Sequence, residues 1–256
     1  MIETELVQIA LRAARDAAQV LLDGYRDHPV SREKGRRSLV TEFDTRCEDL
    51  IRDRLSRATP DIAIVGEEGG GAPGAVTWYC DPLDGTTNFV HGHPVFCVSI
   101  GAVDEHGPCC GAVVAPAMGI EWWGGRTVGA FRNGAPCRVS ETPRLADSLL
   151  TTGFPADRSR DPESNLPTFN EVMQHAQGVR RCGSAAMDCC FVADGTYDGY
   201  WERALNAWDI AAGCAVALAA GARLTALDAG PPRIEHGHIV LTNGRIHDEL
   251  VALVSR

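Results

Sequence analysis

The sequence lacks any long, uninterrupted hydrophobic run. Its best candidate for a membrane segment, IAAGCAVALAAGA at 210–222, is short and alanine-rich, below the roughly 18 apolar residues of a spanning helix. The amino terminus also lacks the basic segment of a secretory signal, because Glu3 and Glu5 stand there and the apolar residues are periodic. We therefore expect a cytoplasmic protein without a membrane span.

An excess of positive charge and paired cysteine motifs are missing as well. The chain has 34 acidic against 24 basic residues and a formal charge of -10. This balance repels polyanions, so nucleic acid is disfavoured as the main ligand. The 10 cysteines are scattered and include no C-x-x-C pair. We expect reduced thiols rather than a disulfide framework or a structural zinc.

The chain does contain enough apolar sequence for one large domain or two closely packed ones, since 45% of its 256 residues are hydrophobic. Helical periodicity predicts an amphipathic helix over 3–23 and a second helix that begins near Thr41 or Asp44 and ends before Pro60. From residue 62 onward, short apolar runs predict strands, and Asn133-Gly134 predicts a hairpin. We therefore expect residues 1–145 to form an α+β portion with a largely antiparallel sheet.

The pattern of predicted secondary structure changes in the second half of the chain. Strand-like and helix-like segments alternate over 146–256, which predicts an α/β portion. A helix is expected near 163–176 and a last one from about His247, with a polar loop at 155–165. No internal repeat or low-complexity segment appears.

The stretch DPLDGTTN places two carboxylates, Asp81 and Asp84, three residues apart after an apolar run. We expect Asp81 at the carboxyl end of a buried strand, where sheets present functional groups. Two ionised carboxylates at close range repel each other unless a cation lies between them, and with the Leu83 carbonyl they suit Mg²⁺. Gly85 and the amide of Thr86 could approach an anion such as phosphate. An ordinary Asp/Pro/Gly turn has the same composition.

Other carboxylates support a metal site only if they converge on this stretch. Glu67 and Glu68 follow another short apolar run, at a second expected strand end. Asp209 begins a predicted helix, so an N-cap role is as open to it as metal binding, and Asp44 has the same alternative. The residues alone leave these alternatives undecided.

Several motifs together resemble the inositol monophosphatase family of magnesium-dependent, lithium-sensitive phosphomonoesterases. In chain order they are VTEFDT, IVGEEGG, WYCDPLDGTTNFVHG, LLTTGFP, GSAA and YWERALNAWDIAAG. The similarity spans nearly the whole chain. It implies a layered αβαβα sandwich of the inositol monophosphatase and fructose-1,6-bisphosphatase type, with the metal site between the two portions.

The resemblance also implies roles for particular residues. The implied ligands of two or three Mg²⁺ ions are Glu67, Asp81, the carbonyl of Leu83, Asp84 and Asp209. The implied phosphate-binding residues are Gly85 and Thr86, and the residues that would position and deprotonate an attacking water are Glu67, Asp44 and Thr86. The implied substrate pocket consists of Asp84, Gly183, Ser184, Ala185 and Glu202. Cys80 and Asn206-Ala207 depart from the usual family pattern without removing a ligand.

The identity of the phosphate monoester is less constrained. Inositol 1-phosphate is our first expectation, and Glu202 can accept hydrogen bonds from such a polyol, although this does not separate it from the alternatives. The same carboxylate could pair with histidinol phosphate, and Arg180, Arg181 or Arg203 could bind the second phosphate of fructose 1,6-bisphosphate. A non-enzymatic role as a partner of transcription machinery is a further alternative. By resemblance we also expect a homodimer.

Overall fold

The computed structural model describes residues 2–26, 31–35, 38–155 and 165–255. The helices in this part of the chain are α1 (Glu3–Gly24), α2 (Glu42–Ala58), α3 (Thr86–Val90), α4 (Leu166–His175), α5 (Ala185–Ala193), α6 (Ala207–Ala219) and α7 (His247–Val254). The strands are β1 (Ser31–Gly35), β2 (Ser38–Thr41), β3 (Ala63–Gly66), β4 (Thr77–Asp84), β5 (Cys97–Asp104), β6 (Gly107–Ala115), β7 (Ile120–Gly125), β8 (Gly129–Arg132), β9 (Ala135–Pro136), β10 (Leu149–Thr152), β11 (Gly178–Arg180), β12 (Gly199–Glu202), β13 (Arg223–Thr225) and β14 (Ile239–Thr242).

Two large sheets organise the described chain. Strands β3 to β9 form a seven-stranded sheet in chain order, in which β3 and β4 are parallel and the other neighbours antiparallel. The five-stranded sheet has the order β11-β10-β12-β14-β13 and is parallel on one side, antiparallel on the other. Strands β1 and β2 pair separately. The largely antiparallel first sheet agrees with the sequence pattern.

Helices α1 and α2 cover one face of the seven-stranded sheet. Residues at helical spacing on α1, such as Val7, Leu11 and Leu21, are fully or almost fully buried against the sheet and α2. Thr41 caps α2, and Asp44 returns a hydrogen bond to it from the third helical position. Thr41 is therefore the N-cap, and Asp44 completes a capping box.

Helices α5 and α6 form a middle layer between the two sheets. Gly111 on β6 allows α6 to lie very close, because a Cβ there would be 2.6 Å from the Cα of Ala212. Alternation along β12 separates the two faces of the second sheet: Tyr200 faces the middle layer, whereas Trp201 packs in the core on the opposite face. Helices α4 and α7 contact each other beside that outer core. The layers confirm the expected αβαβα sandwich.

Most predicted elements have structural counterparts. The hairpin at Asn133-Gly134 is present, with φ of 48° and 82°, as expected of a two-residue turn with left-handed residues. The predicted start of the helix at 163 and most of the predicted polar loop fall on 156–164, outside the described residues. The two sheets occupy 63–136 and 149–242, yet α5 and α6 contact both, so the division at 145/146 stays a prediction.

Two other expectations can be compared directly with the structure. All 10 cysteines are free thiols. Every described helix is too short or too polar to cross a lipid bilayer.

Candidate functional site

Asp81 and Asp84 lie on the same face of β4 because the strand contains a bulge. Asp81 pairs with Ser99 and Asp84 pairs with Cys97 of β5, so three steps on one strand match two on the other. Residues three apart on a regular strand would face opposite sides of the sheet. The expectation that the strand ends at Asp81 is corrected here, because β4 continues to Asp84. The bulge brings both carboxylates onto the face covered by α5 and α6.

Asp84 connects the first sheet to the middle helix layer. Its Oδ2 accepts hydrogen bonds from Ser184 Oγ at 2.7 Å and from Ala186 N at 2.8 Å, at the beginning of α5. Burial raises the pKa of Asp84 to about 6 in spite of these bonds. The GSAA motif thus contacts the DPLDGTTN motif directly, although they are 100 residues apart.

Asp81 is the most crowded carboxylate of the site. It is 2% exposed, and its Oδ1 accepts a hydrogen bond from Leu83 N at 2.9 Å. Burial, and then the negative charges of Glu67, Asp84 and Asp209, raise its pKa well above the ordinary value. Four of the predicted metal-binding carboxylates are therefore close enough to repel one another.

Asp209 reaches this cluster from the first turn of α6. It occupies the third helical position, and its Oδ2 accepts a hydrogen bond from Asn206 N at 2.7 Å, so Asn206 is the N-cap. Burial raises the pKa of Asp209 well above its usual range, and the charges of Asp84 and Glu67 add to this effect. The N-cap alternative left open by the sequence is thus replaced by a capping-box role.

Asp44 and Thr86 are in direct contact. Asp44 Oδ1 accepts a hydrogen bond from Thr86 Oγ1 at 3.2 Å, while Asp44 Oδ2 accepts bonds from the backbone and hydroxyl of Thr41 at 2.7 and 2.6 Å. Burial raises the pKa of Asp44 to about 6. Gly85 precedes Thr86 with a φ of 92°, and a Cβ there would lie 2.9 Å from the Val95 carbonyl oxygen. This position therefore requires glycine.

A cavity of about 170 Å³ lies beside the carboxylate cluster. It is lined by Asp84, Gly153, Arg181, Gly183, Ser184, Ala185, Asp188, Glu202, Leu205 and Asp209. All five residues predicted for the substrate pocket are among them. Glu202 Oε2 accepts a hydrogen bond from Tyr200 Oη at 2.6 Å, and burial raises the pKa of Glu202 to about 7. A larger cavity, about 610 Å³ and lined by Arg203, Arg233 and other residues, contains none of the predicted site residues.

The donors at this site are of the kind that Mg²⁺ prefers. Within 2–26, 31–35, 38–155 and 165–255, no three His, Cys, Asp or Glu side chains are gathered into a ready-made metal cage. Mg²⁺ does not need one, since it is usually held by one or two carboxylates, water and substrate phosphate. The negative charges of these buried carboxylates raise each other's pKa values. A divalent cation between them would offset this repulsion. The residues therefore fit the ion.

Asp188 and Gly153 line the cavity but were not predicted from the sequence. Asp188 is 1% exposed, its Oδ1 has no hydrogen-bond partner among the described residues, and burial raises its pKa. Gly153 packs directly against the Glu202 carboxylate, where a side chain would collide with it. Asp188 lies in the GSAAMD segment, four residues beyond Ser184. This spacing could have indicated that Asp188 lines the pocket, because residues i and i+4 share a helix face.

Comparison with known proteins gives a consistent result. The sequence model of the inositol monophosphatase family matches residues 3–256. A protein of Synechocystis named inositol-1-monophosphatase is 45% identical over 222 residues, which cover 85% of this chain and 77% of that protein. A protein of Aquifex aeolicus named fructose-1,6-bisphosphatase/inositol-1-monophosphatase is 33% identical over 254 residues, covering 98% of this chain and 95% of that one.

Solved structures show the same similarity. The structure of an inositol monophosphatase from Anabaena (Nostoc) superposes with a TM-score of 0.89 at 39% identity, and the match covers 98% of this chain and 95% of that one. The similarity thus extends over both sheets and the helix layer between them.

Proposed function

Because this chain belongs to the inositol monophosphatase family of phosphoric monoester hydrolases, we propose that it hydrolyses a small phosphate monoester, with inositol 1-phosphate as the preferred substrate. The observation that carries the proposal is the convergence of Glu67, Asp84 and Asp209 on the buried Asp81. Asp81 and Asp84 belong to β4, Asp209 belongs to α6, and Glu67 lies in the loop after β3. Such a cluster of like charges suits a cation-dependent reaction on an anionic substrate.

The proposed magnesium ligands are Glu67, Asp81, the carbonyl of Leu83, Asp84 and Asp209. When bound, Mg²⁺ would lower the pKa of the attacking water and neutralise charge on the phosphate and the leaving oxygen. The protein's own contribution is to bury Asp81, Asp84 and Asp209 near one another by strand pairing and helix capping. This scheme requires no aspartate, cysteine or histidine nucleophile.

Asp44 and Thr86 act on the attacking water. The Thr86 hydroxyl donates a hydrogen bond to Asp44 Oδ1. Its oxygen can therefore accept a hydrogen bond from the attacking water. Asp44, with its raised pKa of about 6, can take up a proton passed along this hydrogen bond. The Gly85 and Thr86 amides, at the start of α3, would face the phosphate oxygens.

Glu202 and the beginning of α5 bind the leaving alcohol in this proposal. Several polar side chains line the cavity, among them Glu202, and so does the Gly183–Ala185 segment. Its volume of about 170 Å³ suits a single small ring rather than a large group. A polyol would supply hydroxyl donors to the buried carboxylates, which favours inositol as the alcohol.

The direct test is phosphate release by the purified protein with Mg²⁺, measured for inositol 1-phosphate, histidinol phosphate and fructose 1,6-bisphosphate at equal concentrations. We expect the highest kcat/KM for inositol 1-phosphate, loss of activity with EDTA and inhibition by lithium. A preference for histidinol phosphate would refute the substrate and leave the metal mechanism standing.

Arg181 favours fructose 1,6-bisphosphate as the second candidate substrate. Of the three arginines considered from the sequence, Arg181 lines the cavity, whereas Arg180 and Arg203 do not, and Arg203 donates to the Val254 carbonyl at 2.7 Å. The Arg181 guanidinium could bind a second phosphate. Its positive charge also lowers the pKa of Glu202, against the larger effect of burial. The variant Arg181→Gln should lose bisphosphate hydrolysis selectively if this candidate is correct.

The variant Asp84→Asn separates an enzyme from a partner of transcription machinery. Its amide oxygen can keep the hydrogen bonds from Ser184 and Ala186, so the fold should persist. If the biological role depends on catalysis, the variant should lose that role in cells together with phosphatase activity. Retention of the role would favour the partner alternative.

The mass of the protein in solution tests the proposed homodimer.

A further inference from the structure

The loop at 66–70, which carries Glu67, is closed by backbone hydrogen bonds. Gly66 N donates to Gly70 O and Gly70 N donates to Gly66 O, both at 3.0 Å. Glu67 N also donates to Cys80 O on β4 at 3.2 Å. The ends of the loop are therefore fixed, and the amides of Glu68 and Gly69 remain to be paired.

Glu48 on α2 accepts both of these amides. Its Oε2 accepts a hydrogen bond from Glu68 N at 2.7 Å, and its Oε1 accepts one from Gly69 N at 2.7 Å. The carboxylate is 2% exposed and is also bound by Arg52 Nε at 2.8 Å. Hydrogen bonds to an ionised, buried acceptor are stronger than neutral ones. Arg52 also holds the loop, because its Nη2 donates to Gly70 O at 2.5 Å. We call these hydrogen bonds of Glu48 and Arg52 to the loop the clamp.

The Glu48 carboxylate fits under the loop only because two loop residues are glycine. A Cβ at Gly66 would lie 2.5 Å from Glu48 Oε1, and a Cβ at Gly69 would lie 2.7 Å from the same atom. Neither distance is compatible with normal packing. The buried carboxylate, held by three donors, cannot easily move away, so the loop and α2 fit each other closely.

Helix α2 thereby supports two parts of the proposed site. Asp44 and Glu48 are four residues apart and share one face of the helix. Asp44 contacts Thr86, whereas Glu48 holds the loop next to Glu67. The contacts of Glu48 with the loop and of Asp44 with Thr86 therefore both depend on the position of α2.

We infer that Glu48 is a positioning residue, which fixes the loop so that Glu67 is preorganised to bind Mg²⁺. This inference rests on the proposed function, since it assigns Glu48 a role through Glu67. A group that orients a metal ligand typically changes metal affinity or activity by about 10- to 100-fold when it is replaced. The expected signature is a weaker affinity for Mg²⁺ with a nearly unchanged kcat at saturating Mg²⁺.

The test uses Glu48→Gln in the full chain. The substitution keeps the shape of the side chain but presents an amide NH₂ to one of the two backbone N–H donors. We expect the Mg²⁺ dissociation constant from calorimetry, and the Mg²⁺ concentration at half-maximal activity, to rise by about 10-fold or more. The kcat at saturating Mg²⁺ should stay within a few-fold of the unsubstituted protein.

Asp53→Asn is the matched control, because Asp53 forms an i,i+4 ion pair with Arg57 on the same helix, at 2.7 Å and exposed to solvent. It should leave the Mg²⁺ affinity unchanged. Gly69→Ala should weaken Mg²⁺ binding by the steric route, and Arg52→Met provides a milder variant if Glu48→Gln fails to fold. A folded Glu48→Gln with lower thermal stability but unaltered Mg²⁺ affinity would overturn the inference. If the unsubstituted protein neither binds Mg²⁺ nor releases phosphate, the proposed function fails instead.

Discussion

At the scale of single residues, His247 is a buried titratable group outside the proposed site. It is 0% exposed, with Nε2 at 3.0 Å from Thr225 Oγ1 and Nδ1 at 2.9 Å from Thr242 Oγ1. Because the Thr225 hydroxyl donates to the Ala226 carbonyl, the ring must donate from Nε2 and accept at Nδ1. This network holds the neutral ring. Burial, and then the charge of Arg223, lower the pKa to about 4 against an opposing effect of Asp248.

His247 should therefore make the protein less stable as the pH falls from about 6.5 to about 4. In this window the unfolded chain binds a proton at His247 that the folded chain does not, so the free energy of unfolding decreases with falling pH. The contribution is on the order of 2 to 3 kcal/mol. Urea unfolding across this range should show a shallower pH dependence for His247→Gln than for the unsubstituted protein. Parallel pH profiles for the two proteins would contradict the prediction.

Thr86 provides a second prediction for a single side chain. Thr86→Val keeps the size of the residue but removes the hydroxyl that contacts Asp44 and the Leu83 carbonyl at 3.2 and 3.1 Å. If that hydroxyl assists proton transfer from the attacking water, kcat should fall by about 10²- to 10⁴-fold. Thr86→Ser should restore much of it.

Thr87→Val is the matched control for Thr86→Val, because Thr87 is the neighbouring residue and is exposed to solvent. Steady-state phosphate release, with thermal unfolding measured in parallel, distinguishes a lost catalytic group from a lost fold. Equal activity of Thr86→Val and Thr87→Val would remove Thr86 from the proposed mechanism.

At the scale of elements, α6 connects packing to the site, because it carries Asp209 in its first turn and rests on Gly111 three residues later at Ala212. A Cβ at Gly111 would also lie 2.8 Å from the Ala212 carbonyl oxygen, and backbone atoms cannot rotate away. Gly111→Ala should therefore shift α6, lower the free energy of unfolding by about 1 to 3 kcal/mol and raise the Mg²⁺ requirement.

Gly178→Ala on β11 is a suitable control, since the nearest atom to a new Cβ is 3.4 Å away, at the end of the Arg180 side chain. Urea unfolding and Mg²⁺ titration of activity measure the two effects of Gly111→Ala separately. Unchanged values of both for Gly111→Ala would show that α6 has more room than the structure indicates.

Local elements were predictable from the sequence because they depend on neighbouring residues. Periodicity gave α1, and the Asn133-Gly134 pair indicated the hairpin. The bulge between Asp81 and Asp84 was not predictable, since it depends on the pairing of β4 with β5 rather than on the letters of either strand. Asp81 was expected at the end of the strand because the apolar run stops at Cys80, and this pattern contains no sign of the bulge.

Long-range contacts account for the parts of the site that the sequence did not predict. The bond between Asp84 and Ser184 joins residues 100 positions apart, and the clamp from Glu48 to the glycine loop joins α2 to the end of β3. The chemical identity of the donors was visible in the motifs, but their partners depend on the packing of whole layers. Asp188 was missed because its proximity to Glu202 requires α5 and β12 to be adjacent.

At the scale of the whole molecule, the proposed site joins the two sheets through the middle layer. Asp81 and Asp84 come from the seven-stranded sheet, Asp209 from α6, and Glu202 from the five-stranded sheet. A ligand that binds these groups together binds the folded chain and has no comparable site in the unfolded chain. Binding should therefore stabilise the native state by mass action.

We accordingly expect Mg²⁺ to raise the melting temperature of the protein. At a Mg²⁺ concentration of about 100 times the dissociation constant, the stabilisation is about 2.7 kcal/mol. For a chain of this size that corresponds to roughly 5 to 10 °C, since each kcal/mol shifts Tm by about 2 to 4 °C. Thermal unfolding in Mg²⁺ and in EDTA, with NaCl added to equal ionic strength, measures the difference. Because screening by salt acts on the whole charge of -10, whereas Asp84 is one of the proposed ligands, the shift should be much smaller in Asp84→Asn. An equal shift in that variant would assign the effect to the acidic surface instead of the site.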